Sequence, residues 1–239
     1  MDSAKGRLRA ASVWSGGKDG CLACFKAIQQ GYKIKYLFNL FSKRDALVSF
    51  HRFPKGLIRM QSEASGIPIF QEKICPQEEN KPQFERELEE LLLRLRKTGI
   101  QALVLGYVLA GDYQRALVSR LCLKLGLKLV EPLYKRNSKR VVREFIRLGF
   151  KAIIVSVDTR IIDSYWVGRA LNEEFIEYLE SKPGIDFCGD HGEYHTFTTG
   201  GPLFKRAVYI YGASKVHTDS SCFLDIHKYG FIKQKIINS

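Results

Sequence analysis

The chain has 239 residues, of which 45% are hydrophobic, and it carries a formal charge of +13 at pH 7. This length is enough to bury a substantial core in one large or two modest domains. The chain has no run of about 18 apolar residues and no apolar signal core at its polar N-terminus. We therefore expect a soluble, cytoplasmic protein with no membrane span.

The charge distribution and the cysteine count restrict the environment and the partners. Residues 1–130 carry 22 Lys and Arg against 12 Asp and Glu. Such a basic field attracts ATP and also suits RNA, although nucleic acid is not the partner that we favour. The 6 cysteines are scattered and too sparse for a disulfide scaffold. They indicate a reducing compartment.

A glycine-rich hexapeptide follows the first predicted strand, at 11–14. Its sequence is Ser15-Gly16-Gly17-Lys18-Asp19-Gly20, and a helix is predicted from about Cys21 to Gly31. Paired glycines allow an anion to approach the backbone, and the N–H groups of the first helical turn point towards it. The spacing does not match a Walker loop or a dinucleotide fingerprint. The hexapeptide predicts a phosphate-binding loop, with an ordinary glycine turn as the alternative.

Strands and helices then alternate along the chain. Strands are predicted at 34–41, 68–74, 102–108 and 128–133, with helices at 82–97 and 112–125. This alternation predicts an α/β fold with a doubly wound parallel sheet, whose ligand binds at the carboxyl ends of the strands. We expect the nucleotide-binding domain to span 1–132.

A second, smaller α+β domain is predicted at 133–239. Its predicted elements are a helix at 139–148, a strand at 152–157, a helix at 167–179, a glycine-rich segment at 188–201 and two strands at 207–211 and 223–232. Because this part of the chain has no nucleotide signature, we expect it to bind the other substrate.

The hexapeptide resembles S-G-G-x-D-S, the pyrophosphate loop of ATP pyrophosphatases, with Gly20 in place of the usual serine. Further segments, in the same order, are similar to the diphthine–ammonia ligases and their bacterial and archaeal relatives. They are His51 with 61–68, Gly106 with 112–115, 166–169, 188–197 and 201–205. The resemblance implies a HUP-like ATP pyrophosphatase domain that uses ATP and Mg²⁺.

In this family ATP activates a carboxylate as an acyl-adenylate, and ammonia then attacks to give an amide, AMP and pyrophosphate. The resemblance implies that Lys18 and Asp19 are catalytic, with Asp19 orienting the loop or a magnesium-bound water. Ammonia is the simplest nitrogen donor, because the sequence has no obvious glutaminase motif. The implied ATP-binding residues are Ser15, Gly16, Gly17, Lys18, Asp19, Gly20, Ser42, Gln114 and Arg115, with Asn39 as a weaker candidate.

The segment 188–197 is dense in polar groups and is the expected acceptor site. If the acceptor is diphthine, the partner is elongation factor 2, whose trimethylammonium group needs acidic or aromatic contacts. Diphthine ligases of archaea and eukaryotes typically read G-E-G-G-E-[FY]-E-T here, whereas this chain has Asp190 and His195 at two of the glutamate positions. The expected acceptor-binding residues are Trp166, Arg169, Asp190, Glu193, Tyr194 and His195, and Glu193 is also a catalytic candidate.

Several alternatives stay open at this point. The chain could be a related ATP pyrophosphatase with a different small-molecule acceptor, an RNA thiolase or a nucleotide sensor. Cys21 and Cys24 suggest a thiolase cluster, but their i,i+3 spacing on a predicted helix favours packing. A zinc site at Cys188, His191 and His195 is disfavoured, and we expect no resident metal. A homodimer is also open.

Overall fold

A computed structural model describes residues 7–43, 54–77, 79–109 and 112–231. His51, which contributes to the family resemblance, and Ile232, the end of the last predicted strand, lie outside these ranges. No helix within them is long and apolar enough to cross a membrane.

Five parallel strands form the first sheet. They are β1 (Arg9–Val13), β2 (Lys33–Ser42), β3 (Ile69–Ile74), β4 (Ala102–Val104) and β5 (Lys128–Val130). Their order in the sheet is β3-β2-β1-β4-β5, and every neighbouring pair is parallel. The chain thus adds β2 and then β3 on one side of β1, and it then crosses to the other side of β1 to add β4 and β5. This reversal creates a crevice at the carboxyl ends of β1 and β4.

Helices cover both faces of this sheet. They are α1 (Lys18–Gln29), α2 (Lys55–Ser65), α3 (Lys81–Lys97) and α4 (Asp112–Leu125). Apolar side chains of α1 and α2 belong to one buried core, whereas those of α3 and α4 belong to a second core. The doubly wound α/β sheet predicted from the sequence is therefore confirmed.

Helix starts follow local side-chain chemistry. Asn80 caps α3 by accepting a hydrogen bond from the backbone N–H of Gln83. Asn137 caps α5 (Ser138–Arg147) in the same way. By contrast, the N-cap of α1 is Gly17, which offers no side-chain acceptor. The positive end of the α1 dipole is therefore available to a group from elsewhere.

The second sheet is antiparallel and has four strands. They are β6 (Lys151–Asp158), β7 (Tyr194–Gly200), β8 (Val208–His217) and β9 (Ser221–Phe231), in the order β7-β6-β9-β8. Helices α5 and α6 (Glu173–Glu180) pack beside it. One apolar core runs continuously from α1 and α2 to β6 and β7. The second sheet therefore lies against the α1 side of the first.

Some predicted elements were wrong. The predicted helix at 167–179 is a helix only from Glu173, because Gly168 has a φ of +88° and Asn172 caps α6. Residues 168–171 instead exchange backbone hydrogen bonds with β6. Helix α2 was missed, and the glycine-rich segment 188–201 contains β7. The predicted strands at 102–108 and 128–133 each contain only three strand residues.

Candidate functional site

The predicted phosphate loop lies at the crevice between β1 and β4. Residues 14–17 connect the end of β1 to the start of α1. Gly16 has a φ of +87°, and a Cβ built there would lie 2.5 Å from Cδ1 of Ile58 and 2.9 Å from Oε1 of Gln61. Only glycine fits this backbone, because its φ is positive and α2 packs closely against it.

Gly106 brings the loop that follows β4 against the start of α1. A Cβ at this position would lie 2.7 Å from the backbone nitrogen of Gly20 and 2.8 Å from the carbonyl carbon of Asp19. Both contacts are to backbone atoms, which cannot turn aside as a flexible side chain can. Gly106 therefore sets how closely the neighbouring strand end approaches the phosphate loop.

The buried side chain of Gln61 on α2 holds the loop in place. Its Nε2 donates to the carbonyl oxygen of Gly16 at 2.9 Å and to that of Thr198 at 2.6 Å. Its Oε1 accepts a hydrogen bond from Nε1 of Trp14 at 2.8 Å. One fully buried amide thus joins β1, the phosphate loop and the second sheet.

Strand β7 completes the loop from the other sheet. The hydroxyl of Thr196 accepts a hydrogen bond from the backbone N–H of Lys18 at 3.1 Å, and the N–H of Thr198 donates to the carbonyl of Gly16 at 2.9 Å. Alternate residues of a strand share a face, so Tyr194, Thr196 and Thr198 all point towards α1. This face of β7 is therefore part of the phosphate loop's structure.

The Lys18 ammonium is buried among groups that suit a cation. Its side chain is 4% exposed, and Nζ donates to Oδ2 of Asp19 at 2.9 Å and to the carbonyl oxygen of Cys188. The same nitrogen lies 4.8 Å from the centre of the Tyr194 ring, a cation–π distance. We call this set, formed by Asp19, Cys188 and Tyr194, the ammonium cage.

Burial and charge shift several pKa values here. Burial alone would lower the pKa of Lys18, but Asp19, Tyr194 and Cys188 together outweigh burial, and the pKa is raised well above its ordinary value. Burial raises the pKa of Asp19 although Lys18 opposes the change. Burial, with a smaller repulsion from Lys18, lowers the pKa of His195 to about 4. Lys18 is therefore charged at pH 7, whereas the His195 ring is neutral.

A compact loop at 186–193 shapes the floor of the cage. The Glu193 carboxylate is buried and accepts hydrogen bonds from the backbone N–H groups of Asp186 at 3.3 Å and His191 at 3.1 Å. Oδ2 of Asp186 accepts from the N–H of Asp190 at 2.8 Å. These bonds hold the Cys188 carbonyl towards Lys18. They give Glu193 a structural role, and its catalytic role stays a prediction.

Asp190 links this loop to the first sheet. Its Oδ2 accepts a hydrogen bond from the backbone N–H of Leu109, which follows β4. Burial raises the pKa of Asp190 to about 6, and Asp19 and Asp186 add to the rise. Asp190 therefore lies beside the loop that follows β4, and its role in acceptor binding stays a prediction.

Two predicted nucleotide contacts lie at other strand ends. Ser42 is buried at the end of β2. Asn39, on the same strand, donates to the carbonyl of Trp14 at 2.7 Å and accepts from Gln71 at 2.9 Å. Asn39 thus supports the start of the phosphate loop, which gives this weaker candidate a structural explanation.

Gln114 and Arg115 lie on α4. Gln114 accepts a hydrogen bond from the hydroxyl of Tyr107 at 3.3 Å. Arg115 forms a forked pair with Glu131, through Nε at 2.9 Å and Nη2 at 3.0 Å, and its guanidinium stacks on Tyr134. Arg115 therefore holds the connection between the two sheets, and its contact with phosphate stays a prediction.

Trp166 and Arg169 lie farther from the loop. Trp166 is 5% exposed and packs against the rings of Phe175 and Tyr178. The ring of Phe175 in turn contacts that of Tyr194, with 5.0 Å between their centres. Arg169 is exposed and stacks on Tyr165. Trp166 reaches the cage only through other rings, so a direct contact with an acceptor stays a prediction.

The cysteines are packing residues. Cys21 and Cys24 are buried in the core on α1, and burial raises the pKa of both thiols, to about 12 for Cys24. Among the described residues, no group of His, Cys, Asp and Glu has the arrangement of a metal site. Neither an iron–sulfur cluster at Cys21 and Cys24 nor zinc at Cys188 has support in this geometry.

Three site residues were not predicted from the sequence: Gln61, Thr196 and Thr198. Gln61 belonged to a family-like segment without an assigned role. Alternation at 194, 196 and 198 could have indicated a strand with one polar face, but the neighbouring glycines favoured a loop. Their importance depends on contacts between α2, β7 and the phosphate loop, which are distant in sequence.

The fold and the loop together define an α/β nucleotide-binding protein with an ATP pyrophosphatase-type loop after β1. Family models of the diphthamide synthase N-terminal and C-terminal domains match residues 8–129 and 137–232. The chain belongs to the diphthamide synthase family, and the resemblance seen in the sequence is confirmed.

Curated relatives of the chain carry one name. A diphthine–ammonia ligase of Mus musculus is 31% identical, with 92% of this chain and 89% of that protein covered. The Homo sapiens enzyme of the same name is 29% identical, with 95% and 91% covered. A solved structure, a predicted subunit of tRNA methyltransferase from Methanocaldococcus jannaschii, has a TM-score of 0.43 at 15% identity, covering 82% of this chain and 98% of that one. That last similarity is too low to carry an argument.

Proposed function

We propose that the protein is an ATP-dependent, AMP-forming ligase that converts a carboxylate to an amide with ammonia, and that its acceptor is diphthine on elongation factor 2. The main support is the family membership of a chain that covers most of its curated relatives. The phosphate loop at the crevice between β1 and β4 gives that membership a physical basis.

The proposed chemistry divides between the two sheets. Ser15, Gly16 and Gly17 bind the pyrophosphate through the main chain, and Lys18 adds its positive charge. Gly20 belongs to the same loop, and Ser42, Gln114 and Arg115 border the nucleotide. Cleavage between the α and β phosphates leaves an acyl-adenylate, whose carbonyl carbon ammonia attacks. AMP then departs with the acyl oxygen that the activation step attached to it.

Asp19 is the residue that we expect to hold magnesium. Its Oδ2 pairs with Lys18, while its buried Oδ1 accepts no hydrogen bond. A carboxylate oxygen beside a triphosphate is the ligand that Mg²⁺ uses in many nucleotide enzymes, with the phosphates and water completing the shell. The ion would neutralise charge on the departing pyrophosphate.

The acceptor site that we propose lies at the open side of β7. Tyr194 contacts Lys18, and Asp190, Glu193 and His195 lie next to it on β7 and on the loop before β7. We propose that the acceptor carboxylate binds beside this segment. The acidic and aromatic groups suit a trimethylammonium cation. Trp166 and Arg169 would act through the rings that connect them to Tyr194.

We further propose a domain boundary near residue 132, a cytoplasmic location and assembly as a homodimer.

Isotope-labelled ammonium gives a direct test. The protein is incubated with ATP, Mg²⁺, ¹⁵N-ammonium and elongation factor 2 that carries diphthine. We expect AMP, pyrophosphate and one labelled amide on the factor, detected by mass spectrometry. Unmodified elongation factor is the control for the acceptor. Formation of AMP with a small carboxylate, but none with diphthine, would replace this acceptor by another.

A further inference from the structure

The ammonium cage holds the Lys18 side chain as a small ammonium ion would be held. A carboxylate, a carbonyl oxygen and an aromatic face converge on Nζ, which is almost fully buried. These three kinds of group are also the partners that a free ammonium ion prefers, since each N–H needs an acceptor or a π face. The Lys18 terminus therefore marks a site whose shape and polarity suit NH4⁺.

The buried charge around the cage does not balance. Asp186 is 6% exposed, and its Oδ1 has no hydrogen-bond partner, although its Oδ2 accepts from the N–H of Asp190. Asp186 is close enough to raise the pKa of both Asp19 and Asp190. Asp186 thus adds a second buried carboxyl group near Asp19, which already pairs with Lys18. An unpartnered buried carboxylate oxygen is costly, and a second cation would satisfy it.

We propose that the ammonium cage binds the ammonium ion that supplies nitrogen to the reaction, in the place that Lys18 vacates when its ammonium moves to the phosphates of ATP. The bound ion gives one proton to water, and the ammonia that this leaves attacks the acyl-adenylate. This inference rests on the proposed function, because Lys18 leaves the cage only if it binds the nucleotide. It adds a site for the second substrate and an order in which nucleotide binds before ammonium.

The lining favours ammonium over a metal ion. Mg²⁺ requires a near-octahedral set of oxygens, whereas the groups around Nζ are a carboxylate oxygen, a carbonyl oxygen and an aromatic face. The face of Tyr194 adds an attraction that grows when the cation is desolvated. Its hydroxyl is already engaged, donating to the carbonyl of Phe187 at 2.6 Å, so the ring is fixed in position.

A variant without the lysine terminus tests the site independently of catalysis. In Lys18→Ala the cage loses its cation, so ammonium should stabilise the protein. We expect the Tm of Lys18→Ala to rise by roughly 3 °C or more in ammonium chloride relative to sodium chloride at equal ionic strength, with no such difference for the wild type. Tetramethylammonium chloride, whose cation has no N–H to donate to the Asp19 carboxylate and the Cys188 carbonyl, should have no effect. Equal Tm values of Lys18→Ala in all three salts would overturn the proposal, and an equal rise in potassium chloride would make it a general cation site.

A second variant keeps the test valid if Lys18→Ala does not fold. Asp186→Asn preserves the volume but removes the unpartnered charge, so KM for ammonium should rise about tenfold, a loss of about 1.4 kcal/mol, while KM for ATP changes less than twofold. The exposed Asp225→Asn on β9 is the matched control. An unchanged ammonium KM in Asp186→Asn would contradict the site.

The two proposals fail in different ways. If the wild type makes no amide with diphthine, the proposed function fails. Binding of ¹⁵N-ammonium to the wild type, followed by NMR with and without α,β-methylene-ATP, still tests whether the cage binds ammonium. We expect a slowly exchanging bound signal only with the nucleotide, and a signal that is absent in both conditions would overturn the site.

Discussion

The backbone N–H of Thr198 donates a hydrogen bond to the carbonyl oxygen of Gly16 at 2.9 Å, which joins the second sheet to the phosphate loop. The hydroxyl of Thr196 adds a second link, to the N–H of Lys18. Since both loop residues lie at the start of α1, a movement of β7 changes the loop directly. The second sheet therefore helps to hold the predicted phosphate loop in place, and a proposed acceptor on β7 would be mechanically coupled to that loop.

Gln61→Leu tests that coupling. The change removes the amide that bonds Gly16, Thr198 and Trp14. The indole N–H of Trp14 and the carbonyl of Thr198 lose this partner, whereas the carbonyl of Gly16 keeps its bond from the N–H of Thr198. We expect the free energy of unfolding to fall by about 2–4 kcal/mol and KM for ATP to rise. Urea denaturation and ATP titration measure the two effects. Gln83→Leu on α3, whose partner is the partly exposed Glu87, is the control and should change neither strongly.

Gly106→Ala is expected to disturb the loop by steric contact alone. The new Cβ would meet backbone atoms of Asp19 and Gly20 at 2.7–2.9 Å, so the start of α1 must move. We expect a loss of about 1–3 kcal/mol in stability and weaker nucleotide binding, measured by thermal denaturation with and without ATP. At Gly200 the nearest atom to a new Cβ is 3.5 Å away. Gly200→Ala should therefore be tolerated, and equal effects of the two variants would remove the steric explanation.

Asp19→Asn removes the negative charge of this loop residue and keeps the size and shape of its side chain. The Lys18 ammonium would keep its burial but lose its anionic partner. We expect pyrophosphate release to be abolished and stability to fall by about 1–3 kcal/mol, as seen in product assays and urea denaturation. The exposed pair of Arg94 and Glu72 provides the control Glu72→Gln, which should cost at most about 1 kcal/mol. Normal turnover in Asp19→Asn would exclude this carboxylate from the mechanism.

The first sheet was predictable because each of its elements carries a local signal. The five strands, three of the four helices and the glycine loop after β1 were predicted from local sequence, although β4 and β5 are shorter than predicted and α2 was missed. The second sheet was less predictable: residues 168–171 have apolar neighbours that suit a helix, but their backbone groups bond to β6. Whether these residues form a helix or bond to a strand depends on a partner strand that local sequence does not specify.

The candidate site was also predictable only in part. Loop residues 15–20 follow from a motif. The pairing of Lys18 with the carbonyl of Cys188 follows only from tertiary structure, because 170 positions separate them. Glu193 and Arg115 were expected to touch substrates, yet both make hydrogen bonds within the protein. A charged residue in a motif can thus hold the site together without facing its ligand.

Gly20→Ser restores the hydroxyl usual in ATP pyrophosphatase loops. A Cβ at this position would lie 3.3 Å from the carbonyl oxygen of Val13, a tight contact that a shift of a few tenths of an ångström relieves. We expect ATP affinity to stay the same or to increase, by about 0.5–1.5 kcal/mol if the hydroxyl bonds a phosphate. Calorimetric titration with α,β-methylene-ATP measures it. A tenfold loss of affinity would show instead that the loop needs glycine at this position.

His195 is expected to make stability depend on pH. Burial and Lys18 lower its folded pKa to about 4, whereas an unfolded histidine has a pKa of about 6.5. Between these values the unfolded chain binds more protons, so stability is fully present above pH 6.5 and is lost as the pH falls towards 4. Asp190 has the opposite effect between pH 6 and 4, because its folded pKa is raised to about 6. The His195 contribution must therefore be measured as a difference between proteins.

The wild type and His195→Gln provide that difference. Glutamine cannot take up a proton, so the variant should lose about 1–3 kcal/mol less than the wild type between pH 7 and pH 4.5, measured by urea denaturation at each pH. His227→Gln, at an exposed position on β9, should follow the wild type. Amide formation by His195→Gln should fall more than ATP binding if the ring faces the acceptor. Equal losses of both would assign His195 to the nucleotide site, together with its neighbour Thr196.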